Sequence, residues 1–179
     1  MIFRPTALEG AWIIEAERQD DERGYFARTW CAREFAAHGI DAPFVQANVS
    51  FNRRRGTLRG MHFDVPPFEE VKLVRCSRGA LFDVAIDLRR ESPTYREHVA
   101  VTLTPAATNM LYVPAGCAHG FLTLEDDTEV SYLMAPFHVP RPTRGVRWND
   151  AAFGIQWPIP VDVISHRDAS YPDLSDERT

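Results

Sequence analysis

Cysteine is scarce in this sequence: Cys31, Cys76 and Cys117 are its only three. Their odd count, their wide spacing and the lack of a Cys-x-x-Cys pair exclude a disulfide framework. They read as reduced, mostly buried small hydrophobes. Long apolar runs are missing as well, and without about 18 such residues in a row there is no membrane-spanning helix. The start, Met1-Ile2-Phe3-Arg4-Pro5, lacks the charged flank and apolar core of a signal peptide, so the chain is expected in the cytoplasm. Repeats and low-complexity stretches are absent. So is a basic excess: the formal net charge is −5 and the pI about 5.7, which argues against a nucleic-acid partner.

What is present is ordinary for a globular protein. The 179 residues are 45% hydrophobic and 25% charged, the size of one domain. Thirteen prolines and ten glycines cut the apolar segments short. Leu81 to Leu88 puts Asp83 and Asp87 on one side and Phe82, Val84, Ile86 and Leu88 on the other, which predicts a strand. Further strands are predicted at 12–16, 44–51, 57–62, 71–76, 99–104, 110–113, 120–124 and 129–134. Many short strands at even spacing predict an all-β sandwich or barrel. One helix is expected near 32–38, ended by Gly39. The polar, proline-bearing stretch from about 161 reads as a C-terminal extension of a single domain covering 1–179.

Polar side chains fall where strands should be. Gln46, Asn48 and Ser50 alternate and so face one way. Arg59 and His62 lie on the next strand, Lys72 on the third and Asp83 on the fourth. The opposite side, with Val45, Ala47, Val49 and Leu58, is expected to pack in the core. The polar side then lines a barrel mouth, a common place for small ligands, or is simply solvated. His62 is either a hydrogen-bonded strand residue or a base, since imidazole titrates near ~6.5. A carboxylate on its other nitrogen would fix the tautomer. His119 follows a tight turn, Pro114-Ala115-Gly116, and can donate to a ligand or bind a metal. Tyr132 is either a core or rim residue or a general acid.

Several segments, in order and spacing, carry a resemblance. They are Asp21-Glu22-Arg23-Gly24-Tyr25-Phe26, Gln46-Ala47-Asn48-Val49-Ser50, Leu58-Arg59-Gly60-Met61-His62-Phe63 and Lys72-Leu73-Val74-Arg75. Asp83 to Arg89 with Ser92-Pro93-Thr94, Val113 to Phe121, and Gly145 to Asp150 with Trp157-Pro158 complete the set. Together they make the chain similar to the dTDP-4-dehydrorhamnose 3,5-epimerase family, the RmlC-type cupins, from about residue 3 to 172.

The resemblance implies a jelly-roll, cupin-type β-barrel with a few short helices, acting as a homodimer. The implied reaction inverts carbons 3 and/or 5 of a nucleoside-diphosphate 4-keto-6-deoxyhexose through an enolate, without metal or cofactor. It implies His62 as base, Asp168 as its partner, Lys72 at the enolate oxygen and Tyr132 as the proton donor on the other face. Arg59 would bind the diphosphate, with Gln46, Asn48, His119, His138 and Arg167 lining the site. Arg23 and Phe26 would be donated by the neighbouring subunit, with Arg28 on the same nucleotide-binding strand.

The sequence also departs from the family. Arg28 stands where a Glu is usual, and a guanidinium can only donate. Phe63-Asp64 replaces Tyr-Gln, His138 replaces a Tyr and Thr143 a Glu. A CDP- or GDP-linked sugar, or inversion at one carbon, is the alternative within the family. Outside it stand a metal-dependent cupin using His62, Asp64, Glu69 and His119, and a sugar-nucleotide-binding cupin without turnover.

Overall fold

The protein is described by a computed structural model that covers residues 1–41, 43–138 and 144–174. Thr143, one of the departures above, lies outside the described residues. In chain order the elements are β1 (Ile2–Pro5), β2 (Trp12–Glu15), β3 (Arg18–Asp21), β4 (Gly24–Ala27), α1 (Ala32–Ala37), β5 (Gln46–Asn52), β6 (Thr57–Phe63), β7 (Val71–Arg78) and β8 (Leu81–Asp87). They continue as β9 (His98–Leu103), β10 (Asn109–Val113), β11 (Cys117–Thr123), β12 (Thr128–Ala135), β13 (Arg144–Gly145), β14 (Val163–Ile164) and α2 (His166–Ala169). All nine strands expected from the pattern exist, with ends displaced by up to three residues. The helix begins at Ala32 as expected, and Gly39 leaves it with a φ of +74°.

Two antiparallel sheets face each other. The first runs β1-β2-β10-β7-β12-β5 and the second β13-β6-β11-β8-β9, while β3 and β4 form a separate hairpin. Alternate residues of β7, β10 and β12 (Val74, Leu111, Val130) meet those of β8 and β11 (Leu81, Ala85, Phe121) between the sheets. Each of the larger of these side chains, removed from water, contributes roughly 1.5–3 kcal/mol before conformational entropy is counted. This is a jelly-roll barrel, closed by packing of two curved sheets rather than by hydrogen bonds all round.

Both sheets are covered outside too. Phe35 of α1 packs on the first sheet with Ile14, Leu73, Met110 and Tyr112. Val146, Trp148, Phe153 and Trp157 cover Val84 and Ile86 of the second. With both faces covered, β8 is buried on each side, and Asp83 and Asp87 are 0% exposed. Asp87 accepts from Arg89, Ser92 and Thr94 and pins the loop after β8.

One expectation fails. Leu58 is buried, but Val45, Ala47 and Val49 are not: they lie on the outer face of β5, with Val49 63% exposed. The alternation was right and the assignment of sides was half wrong. β5 is the edge strand of its sheet, and no element among the described residues covers its outer face.

Candidate active site

The inner residues of β5, β7 and β12 form rows. Gln46 pairs with Met134, which pairs with Lys72, and Asn48 pairs with Tyr132. Facing them from the second sheet are His62 on β6 and His119 on β11, themselves paired in register. The rows enclose an open cavity of about 360 Å³. Its lining includes Gln46, Asn48, Ser50, Arg59, His62, Asp64, Glu70, Lys72, His119, Tyr132, His138 and Arg167.

Arg59 and His62 are three residues apart, so a regular strand would point them to opposite faces. Both nevertheless line the cavity, because β6 is bulged. His119 pairs with His62 and Phe121 with Arg59, so three steps on β6 match two on β11. Gly60 makes this possible. Its φ is +135°, and a Cβ there would lie 2.5 Å from the Cα of Gly120.

Asp168 reaches His62 from 106 residues away in the chain. β14 pairs in parallel with β6, Val163 opposite Thr57, and brings the next turn alongside. Ser165 caps that turn by accepting from the Asp168 N–H at 3.0 Å. Asp168, 3% exposed, then lies 2.9 Å from His62 Nε2. Burial pushes the Asp168 carboxyl up, but the His62 hydrogen bond and charge, the Gly60 N–H and Arg167 outweigh it and hold it at about 2. An ionised carboxylate only accepts, so Nε2 carries the hydrogen and Nδ1 the lone pair that can take a proton.

Asp83 repeats this arrangement, with Oδ1 at 2.8 Å from His119 Nε2. Complete burial pushes its carboxyl up, against the pull of His119 and Lys72. Its Oδ2 has no hydrogen-bond partner among the described residues. Burial and then the Glu70 carboxylate push the Tyr132 phenol up, and Arg59 pulls it down. The phenol therefore keeps its proton at neutral pH and is available as a donor. Arg59 is fixed by Asn52, whose Oδ1 accepts from its Nε at 2.7 Å.

Of the residues singled out from sequence, Gln46, Asn48, Arg59, His62, Lys72, His119, Tyr132, His138 and Arg167 meet at this cavity, with Asp168 behind His62. Arg23, Phe26 and Arg28 do not. They lie on or just beyond the exposed β3–β4 hairpin, where Arg23 pairs with Asp21 and Arg28 with Glu34. Glu69 is not among the lining residues, and no group of three His, Cys, Asp or Glu suited to a metal occurs among the described residues. No helix among them is long and apolar enough to cross a membrane. Glu70 was missed. The signal was its spacing of two from Lys72, which puts both on one face as the chain enters β7.

A jelly-roll barrel whose mouth holds a histidine of one sheet, backed by a buried aspartate, and an ammonium and a phenol of the other has the fold of a cupin and the groups for acid–base chemistry. Comparison with known proteins gives the particular family. The family model described as dTDP-4-dehydrorhamnose 3,5-epimerase matches residues 5–176. A dTDP-4-dehydrorhamnose 3,5-epimerase of Sinorhizobium fredii is 42% identical over 175 residues, 97% of this chain and 90% of that protein. The crystal structure of the Bacillus anthracis 3,5-epimerase with TDP and PPi bound superposes with a TM-score of 0.92 at 34% identity, covering 97% of this chain and 99% of that one. The Legionella pneumophila 3,5-epimerase in complex with dTDP-4-keto-L-rhamnose gives 0.90 at 32% identity, covering 96% and 92%. The chain belongs to the dTDP-4-dehydrorhamnose 3,5-epimerase family and is a carbohydrate epimerase.

Proposed function

We propose that the protein converts dTDP-4-dehydro-6-deoxyglucose to dTDP-4-dehydrorhamnose by inverting carbons 3 and 5. The observation that carries this reading is the placement of two proton-transfer groups on opposite sheets of one cavity. His62 approaches from the second sheet and Tyr132 from the first. Both carbons adjoin the C4 ketone. His62 Nδ1 takes the proton from one of them, and the C–H electron pair moves into an enolate whose oxygen faces the Lys72 ammonium. The Tyr132 hydroxyl then gives its proton to the same carbon from the other face, and the ketone reforms. Solvent returns the phenolate and imidazolium to their starting forms. Each positioned proton-transfer group contributes on the order of 10²–10⁴-fold, and a fixed cation at the developing oxyanion adds to it.

Arg59 supplies a guanidinium for the diphosphate. The same reading makes the active form a homodimer, with Arg23 and Phe26 of one subunit reaching the nucleotide held by the other. Two features support this. The hairpin that carries them extends from its own barrel, with Phe26 66% exposed. The uncovered apolar face of β5 also offers a surface for a second copy.

A second reading rests on Arg28. It stands where a carboxylate is usual in the family, and it favours a CDP- or GDP-linked 4-keto sugar. One experiment separates the two: incubation of 4-keto-6-deoxyglucose on dTDP, CDP and GDP carriers in heavy water, followed by proton NMR. Loss of the H3 and H5 signals with the dTDP sugar, and appearance of the rhamno product, is expected. Exchange confined to another carrier would establish the second reading, and exchange with none would refute both.

A further inference from the structure

Lys72 is the only lysine in the 179-residue sequence, whose other basic side chains are arginines and histidines. The one lysine ammonium of the protein therefore stands at the place where the proposed enolate forms. An ammonium on a four-carbon stem has many rotamers, so it stabilises an oxyanion well only if something fixes it beforehand. Glu70 is placed to do so. Its Oε2 lies 3.2 Å from Lys72 Nζ, and the two side chains are only 13% and 15% exposed. Its other oxygen, Oε1, is 3.5 Å from His138 Nδ1. The His138 backbone N–H is in turn held by Gln46 Oε1 at 3.1 Å. The carboxylate thus lies between the His138 ring on one side and the ammonium on the other. Partial burial makes such a pair stronger than one on the surface.

We propose that Glu70 is a positioning residue, which fixes the Lys72 ammonium beside the substrate ketone and acts on the reaction only through it. This inference rests on the functional reading above. Its charge opposes that of Lys72 at the enolate, so the benefit is geometric: the cation is in place before the proton leaves.

The single lysine makes the test direct. Protein labelled with nitrogen-15 lysine carries one side-chain ammonium signal. At neutral pH that signal is expected to be visible and displaced from free lysine, because a held ammonium exchanges its protons slowly. Glu70→Ala removes the signal or moves it to the free-lysine position. Glu70→Gln keeps the shape but removes the charge of the ion pair, and moves the signal part of the way toward free lysine. In turnover, Glu70→Ala lowers kcat about tenfold or more with KM within about threefold. In a Lys72→Ala background the same substitution costs nothing further, since nothing is left to position. Glu70→Asp keeps the charge but is one methylene shorter, and it shifts signal and kcat in the same direction as alanine. An unchanged ammonium signal in Glu70→Ala and Glu70→Asp, or an equal kcat loss in both backgrounds, overturns the proposal. A wild-type protein that exchanges no substrate hydrogen would instead overturn the functional reading, because the ammonium signal reports on Glu70 whether or not turnover occurs.

Discussion

His62 and His119 stand directly opposite each other in the β6–β11 ladder, and each engages a buried aspartate through Nε2, at 2.9 Å and 2.8 Å. The two dyads are alike in geometry and differ in what surrounds the carboxyl group. Asp168 is held at about 2 by its several donors, whereas burial pushes the Asp83 carboxyl up. A carboxylate that stays ionised stabilises an imidazolium as it forms, which is what a base needs. In the proposed reaction this difference favours His62 as the base and His119 as a residue that binds and orients the substrate.

Asp168→Asn tests that assignment. An asparagine can turn its amide nitrogen toward His62, which reverses the hydrogen bond and places the proton on the wrong ring nitrogen. Turnover is expected to fall by about 10²–10⁴-fold with KM changed far less. Heavy-water exchange should fall by the same factor as inversion, because both begin with His62. A variant in which exchange persists and inversion fails would place Asp168 on the other half of the reaction.

Tyr132→Phe gives the complementary pattern. The base is intact, so a hydrogen still leaves the carbon and solvent deuterium still returns from the side of His62. Only delivery from the opposite sheet is lost. Inversion should drop by roughly 10²–10⁴-fold while exchange stays within about tenfold of wild type. Proton NMR of the recovered sugar nucleotide separates the two: deuterated starting material is expected in place of epimer.

The sequence revealed this chemistry unevenly. Alternation within a strand found Gln46, Asn48 and Ser50, and Lys72 and Tyr132 stood out as polar residues inside predicted strands, because strand patterning is a local property. It put Val45 and Val49 in the core, because which face of an edge strand is covered depends on what packs there. It could not show why Arg59 and His62 share a cavity, since that needs the bulge at Gly60. The link between Asp168 and His62 came from family resemblance alone. Nothing local predicts that β14 would pair in parallel with β6, 106 residues from the dyad's other half.

The aspartates also set the acid limit of the fold. Burial pushes the Asp87 carboxyl up, but bonds from Arg89, Ser92 and Thr94 prevail and hold it at about 2. A carboxyl depressed by folding contributes stability that is complete above its unfolded value, near ~3.9, and is lost as pH falls through the folded one. Stability should therefore decline between about pH 4 and pH 2, with Asp87 and Asp168 each supplying roughly 1–2 kcal/mol after allowance for solvent screening. Urea unfolding at a series of pH values checks this. Asp87→Asn is expected to be less stable at neutral pH and to show a flatter decline in that window.

Val49 on the outer face of β5 tests the proposed dimer. It is 63% exposed in the single chain, with Val45 and Phe51 beside it. A charge there costs little to an isolated barrel but would be desolvated within an apolar interface. Val49→Asp should leave the melting temperature of the dissociated chain nearly unchanged and shift sedimentation toward the monomer mass. Turnover should then fall with dilution, if Arg23 and Phe26 serve the neighbouring site. A variant that is monomeric and fully active at low concentration would confine the whole site to one chain.

Gly60 is where fold and chemistry are most tightly joined. Its N–H donates to Asp168 Oδ2 at 3.3 Å, and its φ of +135° permits the bulge that aims His62 into the cavity. In Gly60→Ala the new methyl would lie 2.5 Å from Gly120 Cα and 3.1 Å from the His119 carbonyl oxygen, both of them backbone atoms with little freedom to move aside. The strand has to shift, so the expected cost is about 3 kcal/mol, or roughly 6–12 °C in Tm for a domain of this size. Activity should fall further than stability explains, even well below the new Tm, because both the His62 direction and the support of Asp168 change together. Assaying the variant at a temperature where circular dichroism shows it fully folded isolates that part. Wild-type turnover there would mean that the bulge serves packing alone.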